Sequence, residues 1–171
     1  MKWVEVVELH NKASCTFAET AAGVPSETWM KAGEGEWSPA HITKHLSLAY
    51  EILLSELNGG AGMDIRTKFW QRTLLRWTMV PRLLRGKPFP KGAKAPRETR
   101  PTEITEDQAD AVANFRKLAA SFEEAALNAY AKDSGTQLTH AYFGRSDLVK
   151  SLQFCARHVQ HHARTIANWR L

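Results

Sequence analysis

Leu148-Val-Lys-Ser-Leu152-Gln-Phe-Cys155-Ala-Arg-His158-Val159-Gln-His161-His162-Ala-Arg-Thr-Ile166-Ala-Asn-Trp169 decides how this chain is read. Leu148, Leu152, Cys155, Val159, His162, Ile166 and Trp169 advance by alternating steps of four and three, the signature of one apolar helical face. His162 stands within that stripe, and at 3.6 residues per turn His158 lies about 40° away on its edge. His161 falls with Arg157, Arg164 and Asn168 on the polar side. Two imidazoles one turn apart on a buried face can address a single atom.

Working outward, the rest reads as helical too. A first helix is expected from Trp3 to Ala22, stopped by Gly23 and Pro25. Trp37-Ser38-Pro39 opens a second, with Ser38 as cap and Pro39 in the first helical position, and the helix breaks at Asn58-Gly59-Gly60. Ile42, Leu46, Ala49, Leu53 and Leu57 form its apolar stripe, and His45 shares a face with Ile42, Ala49 and Ile52. Ile65–Leu84 is a shorter basic helix with a break or kink at Pro81, and four prolines make Lys87–Pro101 an extended loop. Thr105-Glu106-Asp107-Gln108 has capping-box spacing and starts a helix to about Ala131. Lys132–Gly144 reads as a polar loop, with Ser146 capping the last helix, which reaches Trp169; no strand alternation is visible. The expected class is all-α: one domain over residues 1–171, a four-helix bundle with the basic helix and Pro-rich loop between its second and third helices.

Composition narrows the function. No apolar run is long enough to span a bilayer, and the opening residues lack the order of a signal peptide, so a cytoplasmic protein is expected. Cys15 and Cys155 lie in apolar stripes far apart and read as buried free thiols, not a disulfide. The net charge of +5 conceals a division: residues 64–100 hold eleven Lys or Arg and two acids, leaving the remainder net negative. Arg66, Lys68, Arg72 and Arg76 interleave with Phe69, Trp70 and Trp77, a pattern compatible with nucleic acid or another anionic partner. Packing of those aromatics onto the bundle is the preferred reading, which makes nucleic acid the weaker expectation.

Burying several imidazoles without nearby acids is costly unless each finds a partner, and a divalent cation held by His45, His158 and His162 would supply it. Imidazole accepts zinc, nickel, copper and iron, of which zinc or nickel is expected. His41, one turn before His45, is a further ligand or a group at the pocket rim; His140, in a loop beside aromatics, is placed in the same class. No uniquely placed carboxylate presents itself as a general base, and none is assigned.

Trp37-Ser-Pro-Ala-His41-Ile-Thr-Lys-His45-Leu46 and Arg157-His158-Val-Gln-His161-His162-Ala-Arg164 together resemble the DinB-like superfamily, also described as YfiT-like metalloenzymes. His140-Ala-Tyr-Phe-Gly144 and the loop from Gly86-Lys-Pro88 to Pro101 resemble one branch of it. The resemblance spans nearly the whole chain. It implies an up-down-down-up four-helix bundle and a divalent metal on His45, His158 and His162. It further implies a small-molecule substrate, thiol-dependent transfer or isomerisation among the reactions, a low-molecular-weight thiol as partner, and a homodimer; hydrolysis by a metal-bound hydroxide is the other chemistry such a site allows. His41 and the basic segment depart from the pattern. Competing with catalysis are a bundle that uses metal for stability alone and an anion-binding role for residues 64–100.

Overall fold

The computed structural model describes residues 1–90 and 92–169; Lys91, counted in the basic segment, lies outside them. The chain is mostly helical. Four long helices, α1 (Trp3–Ala22), α3 (Pro39–Leu57), α6 (Gln108–Lys132) and α7 (Leu148–Ala167), surround one core. Between them lie α2 (Ser26–Trp29), α4 (Phe69–Thr78), α5 (Val80–Leu84), a 3-10 turn at Arg97–Thr99, and an antiparallel pair, β1 (Gln137–His140) and β2 (Gly144–Asp147).

Phe17, Phe115, Phe122, Leu46 and Leu152 are fully enclosed, and each comes from the apolar stripe of its helix. Contacts fix the directions. Trp3 stacks on Tyr130 at 4.1 Å, while Gln108 donates from Nε2 to the carbonyls of Ala21 and Val24 at 2.8 Å each, so α1 and α6 run antiparallel. α1 also packs along α7, and α3 along α6. The contact between α3 and α7 is slight by comparison. Over that seam lie α5, whose Leu84 carbonyl accepts from Gln153 of α7 at 2.9 Å, and the turn at Arg97–Thr99, which rests on α3.

Several local expectations need correction. Residues expected to form a polar loop before the last helix make a hairpin instead. Gly144 closes its turn at φ +70°, and Glu56 of α3 accepts from the Thr139 amide (2.9 Å) and hydroxyl (2.6 Å). Asp107, not Thr105, caps α6, and Asp147, not Ser146, caps α7; each carboxylate accepts the amide N–H three residues on. Ser38 and Pro39 start α3 as expected, the Ser38 hydroxyl accepting from the His41 amide. The basic helix begins at Phe69 and breaks at Met79, two residues before Pro81. Both cysteines are free, but neither is fully buried: Cys15 is exposed and Cys155 half-buried. The aromatics of α4 do not pack on the bundle: no residue of that helix is buried. Among the described residues no helix is long and apolar enough to cross a membrane.

Candidate metal centre

His45 comes from the second turn of α3, and His158 and His162 from the C-terminal half of α7, facing one another across the lightly packed seam. Their ligand nitrogens all lie within 4.8 Å of one another. His158 Nε2 is 3.3 Å from His45 Nε2 and 3.0 Å from His162 Nε2.

Protons alone do not satisfy this arrangement. His45 Nδ1 lies 2.7 Å from the carbonyl of Thr99, which has no proton to give, so Nδ1–H donates and Nε2 is left with a bare lone pair. His158 Nε2 then meets two nitrogens. If it carries a proton it serves one contact well; if it does not, two lone pairs face each other. A cation between the rings removes the conflict. Nitrogens held at about 2.0–2.1 Å on one ion are separated by roughly 2.9 Å at a right angle and roughly 3.4 Å at the tetrahedral angle. The observed 3.0 and 3.3 Å fall within that span. His162 Nδ1 is buried with no hydrogen-bond partner among the described residues, so the ring's placement is governed by its other nitrogen.

Electrostatics favour neutral, ligating imidazoles. Burial lowers the pKa of His45, partly offset by the Thr99 carbonyl. Burial pushes His158 and His162 well below the usual range, reinforced by the neighbouring histidines. A ring kept unprotonated near neutral pH is the form that binds a metal. The Thr99 carbonyl also orients His45 and raises its basicity, the usual work of an outer partner on a ligating imidazole.

The other two predicted residues are placed differently. His41 is outside the group; its Nδ1 pairs with the Ser38 hydroxyl at 2.7 Å. His140 is also outside the group but lines the adjoining cavity. Its Nδ1 accepts the Tyr142 amide N–H at 3.2 Å, its ring stacks on Phe143 at 4.4 Å, and burial lowers its pKa to about 4. His161, expected on the solvated face, is half-buried under Phe89, with centroids 4.9 Å apart. Phe89 also covers His158 at 5.4 Å.

The cavity measures about 550 Å³ and reaches His45 and His158. Leu53, Met63, Val80, Leu84, Leu138 and Phe154 give it a mainly apolar wall, and Arg76 and Lys150 bring positive charge. Among the described residues no carboxylate lines it. Cys155 does, but burial pushes its thiol up to about 12, so it is protonated at neutral pH and weakly nucleophilic. Thr99 and Phe89 escaped the sequence reading. Thr99 acts through its backbone, which carries no residue-type signal; Phe89 offered only its position within the Pro-rich loop.

Comparison with known proteins decides the family. The model of the DinB superfamily matches residues 12–166, a stretch that includes all three converging histidines. The chain belongs to the DinB superfamily. No curated protein and no solved structure matches it. Within this DinB-superfamily chain, the matched span also takes in α4, α5 and the Pro-rich loop that wall the cavity.

Proposed function

We propose that this protein is a divalent-metal-dependent enzyme acting on a small molecule, with His45, His158 and His162 as the ligands. The observation that carries the reading is the convergence of three Nε2 atoms, that of buried His45 and those of half-buried His158 and His162, beside a cavity large enough for a small organic substrate. The four long helices are read as an up-down-down-up bundle, open between α3 and α7 where the site lies. Zinc or nickel suits three imidazoles. When bound, such an ion supplies Lewis acidity undiminished by ligand charge, lowering the pKa of a water or a small thiol beside it.

The protein's own residues bind and orient. Apolar side chains exclude water from the substrate's body, and Arg76 and Lys150 attract an anionic end such as the carboxylate of a low-molecular-weight thiol. The Tyr142 amide fixes His140 with its proton on Nε2 when neutral, making it a hydrogen-bond donor. With no carboxylate on the wall among the described residues, thiol transfer is favoured over a hydrolysis that needs a carboxylate base.

Elemental analysis of untagged protein tests the ligand set. Wild type and His41→Ala are expected to carry stoichiometric metal, and His45→Ala, His158→Ala and His162→Ala to lose it. Retention in all three would reject the site. Turnover of an electrophile with a small thiol, lost on chelation and restored by metal, tests catalysis; bound metal with no exchange of solvent or thiol at it would indicate a structural site instead.

A further inference from the structure

The helix α4 presents an apolar crown to solvent. Phe69, Trp70, Leu74 and Trp77 are 77%, 63%, 57% and 80% exposed, and Ile65 just before the helix is exposed as well. At 100° per residue, Trp77, Trp70 and Leu74 fall within an arc of about 60°, with Thr73 joining them to Phe69. Exposed clusters of this kind mark an interaction surface. The charge around it is one-sided. Lys68, Arg76, Arg82 and Arg85 are exposed, and among the described residues none of them has an acidic partner. Among the described residues of this segment Arg66 is the one that is paired, with Glu98 at 2.8 Å.

We infer that α4 docks the protein on an anionic lipid surface, its Trp-Leu-Phe crown entering the headgroup layer and its flanking Lys and Arg meeting lipid phosphates. The reasoning is complementarity of both kinds. Tryptophan and phenylalanine favour the membrane–water boundary, and an amphipathic helix bearing them beside cations binds acidic bilayers. Nucleic acid fits less well: Leu74, between Trp70 and Trp77 along the helix, offers a base nothing. Self-association about a two-fold axis through α4 would set two strongly positive segments against each other. The docking does not depend on the metal site. Because Arg76, Trp77 and Val80 also wall the cavity, the docked face is the outer side of the cavity's roof.

Co-sedimentation with vesicles of phosphatidylcholine, with and without phosphatidylglycerol, tests this. The protein is expected to pellet with the phosphatidylglycerol vesicles at low salt, only weakly with phosphatidylcholine alone, and less as salt rises. The double variant Trp70→Ser/Trp77→Ser and the charge variant Lys68→Glu/Arg76→Glu are each expected to weaken binding about tenfold or more. Neither removes a buried side chain, so unchanged circular dichroism is expected. Failure to pellet at low salt, or equal binding by the tryptophan variant, would overturn the inference. So would a wild-type dimer that this variant dissociates, which would assign the face to a second copy, or tighter binding to an oligonucleotide than to the vesicles.

Discussion

At the scale of single residues, the molecule uses buried histidines in two ways. His10 is satisfied by protein atoms: Nδ1 meets Glu123 at 2.7 Å and Nε2 meets the Tyr50 hydroxyl at 2.8 Å. The converging trio is not so satisfied. Replacing His10 by Ala leaves the Tyr50 hydroxyl with only the Ser14 hydroxyl at 3.4 Å and opens a void, so a loss of about 2–4 kcal/mol is expected, read as a lower denaturant midpoint. A loss below about 0.5 kcal/mol, within the range of an ordinary surface substitution, would show that the network contributes little. The trio was readable because His158 and His162, four residues apart, lie beside the apolar stripe of α7, although Ala156 and Ala163 and not Cys155 and His162 complete its buried line, and because His45 is on the buried face of α3. What lies around it was not. The support for His45 is a carbonyl 54 positions away, and any residue there would have the same carbonyl. His41 shares the four-residue spacing with His45, yet its first-turn position lets it bond back to the helix cap.

At the scale of elements, the long helices announced themselves by period and the short ones by their breakers. The hairpin did not, since four residues per strand give too few alternations to distinguish from a loop. Its stability comes from tertiary partners: Leu138 is buried, Glu56 holds Thr139, and the Ala141 carbonyl accepts from the Arg66 amide at 2.8 Å. Gly144 is required there. Its φ of +70° disfavours a side chain, and a Cβ would stand 2.6 Å from Arg72 Cδ. Gly144→Ala is therefore expected to cost about 1–2 kcal/mol for the backbone conformation, plus the displacement of Arg72. A melting temperature unchanged from wild type would refute this. On α4 the period was legible but the sense of the face was not, because an amphipathic pattern says that two faces differ and not which one is covered.

For the whole molecule, buried neutral imidazoles set the response to acid. His140 titrates at about 4 against an ordinary 6.5, so between those values the unfolded chain binds protons that the folded chain refuses. Stability from this group is complete above about pH 6.5 and is lost as pH falls toward its folded pKa. With metal removed by chelation, His140→Gln, which keeps an acceptor for the Tyr142 amide, is expected to show a shallower fall of melting temperature across that window. An unchanged slope would exclude the group as a contributor. Chelation alone is expected to lower the melting temperature near neutral pH, by the equivalent of about 4 kcal/mol if free metal had stood a thousandfold above its dissociation constant. No shift would count against the ligand set.

The seam between α3 and α7 gives this a mechanical meaning. Elsewhere neighbouring long helices grip through packed side chains; here three rings from opposite sides face one another, so an ion held between them would work as a rivet through two plates. Stripped of it, the protein should loosen along one line while α1 and α6 stay clenched. Amide exchange would then quicken around His45 and His158 well before the rest, and the supply of metal would tune the stiffness of the chamber wall.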